Sequence, residues 1–259
     1  MNEHALWIPS RYISLWSGFG LEMYVMMTWL AIAAGTIWWT SASWKLTDAL
    51  WKRAMALVVI AVVTIFFTRL FHILFWGWQQ TIDHPSLLTQ LKSGRSIHGA
   101  LAGFTISAII ISRVWKIPLE KPADILSFWP VFGLICARIG NFWNSEMIGT
   151  PSDLPFALRF YFSGDHGGIP RHPVQLYEAG LATVLLAIMV AAFMRKTKRR
   201  FLLPSLALIG YSVIRFGCDF IKDDPGHLFG EWLTTGQVLS ILFIAAGVFL
   251  LREPGADPK

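Results

Sequence analysis

The chain alternates between long apolar runs and short polar connections over most of its length. The runs lie at residues 19–39, 54–77, 97–112, 125–144, 173–194, 201–218 and 234–251. Each is near the length of about 20 residues that crosses a bilayer as a helix, which satisfies its own backbone hydrogen bonds in lipid. The pattern predicts an all-α integral membrane protein with seven transmembrane helices in a single membrane-embedded domain, residues 1–259.

Composition agrees with this prediction. Hydrophobic residues make up 54% of the 259 positions and charged residues 15%, against about 25% charged residues in soluble domains. Outside the membrane we expect little more than the connections between the runs, of which the longer ones are 78–96, 219–233 and a short head segment, 145–172. Cys136 and Cys218 lie in or beside apolar runs without CxxC spacing, so we expect two buried thiols and neither a structural zinc site nor a disulfide framework. We expect no metal and no cofactor. The first 18 residues lack the features of a cleavable signal peptide.

The basic residues predict the orientation of the bundle, because cytoplasmic connections are enriched in Lys and Arg. Thirteen of the 22 fall on one side: Lys45, Lys52, Arg53, Arg113, Lys116, Lys121, Arg195, Lys196, Lys198, Arg199, Arg200, Arg252 and Lys259. Six fall on the other: Arg11, Lys92, Arg95, Arg159, Arg171 and Lys222. We therefore expect the N-terminus outside and the C-terminus in the cytoplasm. The net charge of +6 then reflects topology and not nucleic-acid binding.

Three arginines, Arg69, Arg138 and Arg215, fall inside the apolar runs. A charge at membrane depth costs at least a few kcal/mol, so each needs a partner, an aqueous cavity or an anionic ligand. An internal ion pair or a snorkelling side chain explains any one of them. Together they predict an anion site, since a guanidinium offers parallel donors to a phosphate, and lipid headgroups supply phosphate in a membrane. Polar residues share their helix faces three or four positions later: His72, Asn141 and Asp219.

Further polar residues gather at the ends of the runs. GRSIHGALAG (94–103) sets His98 among small residues, where backbone can approach another helix or a ligand. His98 is a candidate base or a packing residue. Two more stretches, ARIGNFWNSEMIG (137–149) and PRHPVQLYEAG (170–180), also concentrate polar side chains. Those not yet named are Asn144, Glu146, His172, Gln175, Tyr177 and Glu178.

These stretches resemble the bacterial prolipoprotein diacylglyceryl transferases. The blocks that carry the resemblance, in the family's order, are RLFHILFWGW (69–78), HPSLL (84–88), GRSIHGALAG (94–103), RIGNFWNSEMIGTPSDLPFA (138–157), RHPVQLYEA (171–179), IRFGCDF (214–220) and GQVLSI (236–241). The RIGNFxNxExxG and HPxQLYEA blocks together are highly specific. Family members are multi-pass enzymes of the bacterial inner membrane with seven spans and the N-terminus outside, which agrees with the charge distribution.

The resemblance implies transfer of the diacylglyceryl group of phosphatidylglycerol to the cysteine thiol of a prolipoprotein signal peptide. The reaction forms a thioether and releases glycerol phosphate. A thiol attacks as the thiolate, so a proton acceptor or a positive field is needed. Arginines on the leaving phosphate would stabilise the transition state more than the ground state. The implied partners are phosphatidylglycerol, prolipoprotein signal peptides and the membrane, with no nucleic acid.

The resemblance also implies roles for residues. The catalytic residues it implies are His98, Arg138 and Arg215. The residues it implies for substrate binding are Arg138, Asn141, Glu146, Tyr24, Arg69, Gln175, Tyr177, Glu178 and Asp219. Among these, Asn141 is expected to assist an arginine clamp on the phosphate, and Glu146 and Asp219 to orient the arginines. Tyr24 matches a tyrosine of the family's first span, and no role is assigned to the others.

Four positions depart from the family pattern. Asp219 replaces glutamate, Ala100 replaces the second glycine after His98, Ser145 replaces a glycine, and His72 replaces tyrosine. The departures leave donor and acceptor preference open, so a paralogue with other substrates is an alternative. A non-enzymatic anion transporter and a lipid-binding membrane protein are others, although the sequence shows no internal repeat of the kind found in many transporters.

Overall fold

A computed structural model describes residues 6–7, 12–16, 19–75, 77–83, 96–160, 168–195, 199–223, 227–229 and 232–252. The HPSLL block at 84–88 and the first two residues of the block at 94–103 lie outside the described residues. Also outside them are six basic residues of the charge distribution: Arg11, Lys92, Arg95, Lys196, Lys198 and Lys259.

The described part of the chain contains nine α-helices. They are α1 (Met23–Ala42), α2 (Leu50–Phe75), α3 (Trp78–Asp83), α4 (Ile97–Trp115), α5 (Glu120–Leu126), α6 (Phe128–Trp143), α7 (Val174–Met194), α8 (Leu202–Cys218) and α9 (Thr235–Arg252). Short 3-10 turns, Ser43–Lys45 and Asp219–Ile221, extend α1 and α8.

Seven helical stretches are long and apolar enough to cross a membrane, which confirms the predicted number. They are Met23–Lys45, Leu50–Phe75, Ile97–Trp115, Glu120–Trp143, Val174–Met194, Leu202–Ile221 and Thr235–Arg252. Their ends differ from the predicted ends by a few residues. The first differs most, because it begins four residues after the predicted 19 and the 3-10 turn carries it six residues beyond the predicted 39. The fourth combines α5 with α6 and so begins five residues before the predicted 125.

Among the residues that the structure describes, six short strands form three pairs that the sequence pattern did not predict. β1 (Leu6–Trp7) pairs with β4 (Leu158–Arg159), β2 (Tyr12–Trp16) with β3 (Phe19–Glu22), and β5 (His227–Phe229) with β6 (Leu233–Thr234). They lie before α1, between α6 and α7, and between α8 and α9. Strands of two to five residues carry too little alternation to stand out from loops.

The outward helix faces are apolar. On α2, Val58, Val62, Ile65 and Phe66 are all more than half exposed. A water-soluble protein rarely exposes so large an apolar surface, whereas lipid accepts it without cost. The fold is therefore that of a helical membrane protein, as the composition predicted.

Small residues let the helices of the bundle approach closely. Gly99 and Gly103 on α4 face α2, and a Cβ atom added to Gly103 would lie only 2.7 Å from the Cα of Thr64. This is the close approach expected of the small residues around His98. The other main helix pairs are α1 with α6, α6 with α7, α7 with α8, and α8 with α9.

One apolar cluster supports the polar end of the bundle. It joins α4, α6, α7 and α8 through Leu101, Leu134, Ala182, Leu208 and Tyr211, all buried. Leu101 and Tyr211 are within about one helical turn of His98 and Arg215, respectively, so this cluster fixes the spacing of the helices that carry them. Cys136 and Cys218 are free and buried, as predicted.

Candidate active site

The predicted site residues lie at one end of the bundle. Here α6 and α8 end, while α1, α4, α7 and α9 begin. Tyr24, in the first turn of α1, lies against Gly140 of α6, so that a Cβ atom on Gly140 would be 2.8 Å from the Tyr24 ring. Tyr24 is thus close in space to the RIGN segment that carries Arg138 and Asn141.

Glu178 of α7 is the centre of the polar cluster. Its Oε2 forms an ion pair with Arg138 Nε. Its Oε1 lies 2.5 Å from Lys222 Nζ and 3.7 Å from Arg215 Nη1. All four residues are buried. Glu178, to which the sequence assigned no role, therefore contacts cations from three parts of the chain.

Asp219 is the second buried carboxylate of the cluster. Its Oδ1 lies 3.1 Å from both Arg215 Nε and Lys222 Nζ, and its Oδ2 accepts a 2.6 Å hydrogen bond from Thr234 Oγ1. Because Arg215 and Asp219 are four positions apart on one helix face, the aspartate reaches the guanidinium despite lacking one methylene of glutamate.

The start of α9 packs against the Arg215–Asp219 ion pair. Gln237 N donates to Thr234 Oγ1 at 2.9 Å, and Thr234 N donates to Gln237 Oε1 at 3.0 Å, a reciprocal capping box. Gly236 lies between them, and a Cβ atom there would be 2.8 Å from Arg215 Nε. A side chain larger than hydrogen at Gly236 would therefore displace the ion pair where α9 passes it, which gives the GQVLSI block a physical role.

Arg138 is linked to the loop that follows α6. Its Nη1 donates to Asn141 Oδ1 at 3.3 Å, and Asn141 Nδ2 donates to Glu146 Oε2 at 2.9 Å. Glu146 also accepts a hydrogen bond from Asn144 Nδ2 at 3.3 Å. Glu146 thus reaches Arg138 through Asn141, and Glu178 makes the direct ion pair with Arg138.

The backbone of this loop is strained at two positions. Ser145 and Met147 both have φ of 55°, in the left-handed region, which costs a residue with a Cβ atom roughly 1–2 kcal/mol. Ser145 is the position where the resembling family carries glycine. Gln175 supports the loop, since its Nε2 donates to the carbonyl of Glu146 at 2.6 Å.

Backbone hydrogen bonds join the two highly specific motif blocks to each other and to the segment that follows the IRFGCDF block. Gly149 pairs with Lys222, Thr150 N donates to Ile221 O at 3.0 Å, and His172 N donates to Thr150 O at 3.1 Å. The loop after α6 therefore lies between the segment before α7 and the segment after α8. Gly149 is tightly packed there, with 2.6 Å between an added Cβ atom and His172 O.

His98 is only 1% exposed and lies beside the cluster. Its ring meets the Tyr211 ring edge-on and stacks on the Phe243 ring, with centroids 5.6 Å apart in both cases. Arg215, Arg138 and Lys222 are near enough to act on it electrostatically. His98 therefore packs in the core beside the cations. Its roles as a base and as a packing residue both stay predictions.

Two other predicted residues lie further out. Arg69 is half-buried on α2, the helix that packs on α4, and acts electrostatically on His72. The Tyr177 hydroxyl lies 3.3 Å from His172 Nδ1, beside the head segment. Their contributions to the site remain predictions.

Lys222 is a site residue that sequence reasoning missed. It was counted among the basic residues of the outer connections, yet it is 6% exposed. Burial, with repulsion from Arg215 and Arg138, lowers the pKa of Lys222 to about 8, although Glu178 and Asp219 act in the opposite direction. Its spacing three residues after Asp219 and seven after Arg215 is the signal that could have placed it on the same face.

Arginines and carboxylates buried together at one end of a helical bundle are typical of membrane proteins with a functional site for protons, ions or charged ligands. Comparison with known proteins makes the class specific. The chain matches the prolipoprotein diacylglyceryl transferase family over residues 11–252. The chain belongs to this family.

Individual members of the family match the sequence of this chain over most of their length. The phosphatidylglycerol–prolipoprotein diacylglyceryl transferase of Methylococcus capsulatus is 38% identical over 187 residues, 71% of this chain and 70% of that protein. The enzyme of that name from Methylocella silvestris is 37% identical over 201 residues, 75% and 72% of the two chains. One from Pseudomonas putida is 30% identical over 223 residues, 83% and 81%.

Proposed function

We propose that this chain transfers the diacylglyceryl group of phosphatidylglycerol to the cysteine thiol of a prolipoprotein signal peptide. The carbon–oxygen bond between glycerol and phosphate breaks, a carbon–sulfur bond forms, and glycerol phosphate leaves with the electron pair of the broken bond. The thiol proton passes to a base. The observation that carries the proposal is the buried cation cluster at the place where the family's motif blocks meet.

Charge balance supports a phosphate as the ligand of the cluster. Among the described residues, its buried charged side chains are three cations, Arg138, Arg215 and Lys222, and two carboxylates, Glu178 and Asp219. With all five ionised, the cluster has one positive charge in excess. Phosphatidylglycerol carries one negative charge on its phosphodiester, so its binding leaves the buried site neutral, which reduces the cost of burying the charges.

Two guanidinium donors are suited to phosphate oxygens. Arg215 Nη1 is buried and makes no hydrogen bond to the described residues. Arg138 Nη1 lies 2.7 Å from the sulfur of Met147, whose side chain is half-exposed at the surface of the cluster. A thioether is a weak acceptor, so a phosphate oxygen would replace it with a gain in free energy. Arg138 and Arg215 then act as the phosphate clamp.

The surrounding residues support these two. Asp219 orients Arg215, and Asn141, held by Glu146, orients Arg138. His98 serves as the base or positions the reacting groups, and Tyr24 borders the RIGN segment. The cationic cluster favours the thiolate over the thiol.

We also propose an orientation of the bundle in the membrane. The site end faces outward and the C-terminus lies in the cytoplasm, in the cytoplasmic membrane of a bacterium. The basic residues that follow α1, α4 and α7 lie at the end opposite to the cluster, which supports this orientation under the positive-inside rule.

Single cysteines test the orientation, because both native cysteines are buried. Leu154→Cys lies in the head segment and Lys121→Cys at the other end, and both positions are exposed. In intact spheroplasts, a membrane-impermeant thiol reagent should label Leu154→Cys and should label Lys121→Cys only after lysis. The reverse pattern would show that the bundle is inverted.

Transfer is tested by incubating the purified protein with phosphatidylglycerol and a peptide containing a lipoprotein signal cysteine. Mass spectrometry should detect the thioether-linked peptide and glycerol phosphate, and no product with a serine peptide. Absence of product under conditions where the Methylococcus capsulatus relative is active contradicts the proposal. Anion flux in proteoliposomes without lipid turnover would identify a transporter, and tight lipid binding without consumption a lipid-binding protein.

Arg138→Lys and Arg215→Lys test the clamp. A lysine keeps the charge but loses the parallel donors, so kcat/KM should fall by about 100-fold or more, as on removal of one transition-state donor. Either arginine changed to alanine should leave no measurable turnover. Arg113→Lys, exposed at the opposite end, is the matched control and should retain activity. Full activity in Arg138→Lys would mean that a point charge suffices.

Gly236→Ala tests whether the Arg215–Asp219 geometry matters. The added Cβ atom would lie 2.8 Å from Arg215 Nε, so the ion pair must shift. A strain of about 1–3 kcal/mol is expected, and kcat/KM should fall by roughly tenfold or more. Gly180→Ala, with no atom within 4 Å of its new Cβ, is the matched control. Equal activity of the two variants would show that the pair tolerates displacement.

A further inference from the structure

Lys222 and Arg215 share the same two carboxylate oxygens. Lys222 Nζ lies 2.5 Å from Glu178 Oε1 and 3.1 Å from Asp219 Oδ1. Arg215 approaches the same atoms, with Nη1 3.7 Å from Glu178 Oε1 and Nε 3.1 Å from Asp219 Oδ1. The lysine therefore makes the closer contact with Glu178, and the terminal nitrogen of the arginine remains outside hydrogen-bond distance of it.

The backbone keeps Lys222 at this position. Lys222 pairs with Gly149 in an antiparallel bridge, and Asp223 N donates to Ile148 O at 3.1 Å. The next side chain is also tied down, since Asp223 Oδ2 lies 2.7 Å from Arg171 Nη1. The backbone of the segment after α8 thus holds the Lys222 ammonium between the two carboxylates. The side chain does not have the rotamer freedom of a surface lysine.

We propose that Lys222 is a positioning residue that keeps Arg215 available to the substrate phosphate by neutralising Glu178 and Asp219. This inference rests on the proposed function. Without the ammonium, two carboxylates would face two arginines, and Glu178 would draw closer to Arg215 Nη1. The cluster would lose its excess positive charge together with a donor suited to the phosphate.

The charge of Lys222 should make lipid binding depend on pH. Its pKa of about 8 means that the ammonium is present below this pH and is lost as the pH rises through it. An arginine at this position stays charged well above that range. The titratable and charged groups that interact with Lys222 are Arg138, Arg215, Glu178, Asp219, His98 and Cys218.

The experiment compares the wild type with Lys222→Met and Lys222→Arg in nanodiscs of phosphatidylcholine, into which phosphatidylglycerol is titrated. At about pH 7, Lys222→Met should raise the Kd for phosphatidylglycerol by roughly tenfold or more, and the KM rises with it. Lys222→Arg should bind within about threefold of the wild type. Lys121→Met, an exposed lysine at the opposite end, is the matched control.

The pH series separates a positioning role from a merely structural one. Between about pH 7 and about pH 9, the wild type should lose affinity for phosphatidylglycerol, whereas Lys222→Arg should not. This comparison holds even if Lys222→Met fails to fold. Wild-type affinity in Lys222→Met, or an equal alkaline loss in Lys222→Arg, would overturn the inference. Residue-222-dependent lipid binding without any thioether product would instead contradict the proposed function alone.

Discussion

The Glu178 carboxylate joins cations from α6, from α8 and from the segment after α8, in a bundle interior from which water is largely excluded. Removing a charge from water costs several kcal/mol, and the cost is recovered only when partners and geometry are good. Loss of Glu178 would leave three cations buried against one remaining carboxylate. The arrangement of α6, α7 and α8 at this end is therefore tied to a single side chain, and the apolar cluster one turn below keeps the three helices at the spacing the ion pairs need.

Helix ends add to the field of these side chains. Where α7 and α9 begin, their N-terminal amides favour an anion, while Arg215 in the last turn of α8 lies where a cation is favoured. The Thr234 hydroxyl links both effects, because it accepts from Gln237 N to cap α9 and donates to Asp219. The orientation of Arg215 thus depends on α9 as well as on α8. The helix ends and the charged side chains together produce the positive electrostatic field at this end of the bundle.

Contacts between residues that are far apart in the sequence are the part of the site that the sequence did not predict. Hydropathy predicts the spans because each is a local property, and helical spacing predicts the contacts of Arg138 with Asn141 and of Arg215 with Asp219. Glu178 meets Arg138 from 40 positions away, and no local period encodes such a contact. Lys222 follows the end of α8 and counts by its charge among the basic residues of the outer connections, although its spacing from Asp219 and Arg215 continues their helix face. Glu146 is expected to orient an arginine, and the structure shows a link from Glu146 to Arg138 that passes through Asn141, which the spacing along the chain does not predict.

The departures from the family pattern fall around the cations and not on them. Asp219 is shorter than glutamate, yet Arg215, Lys222 and Thr234 all contact it, so the contact survives the lost methylene. Ser145 accepts a left-handed backbone that glycine would adopt more easily, and the Gln175 hydrogen bond to the next carbonyl holds that backbone in place. Asp219 therefore keeps a direct contact with Arg215, and the loop at Ser145 keeps the link from Glu146 through Asn141 to Arg138. Since the proposed phosphate would bind to the cations themselves, these two substitutions bear on how firmly the loop and the end of α8 are held.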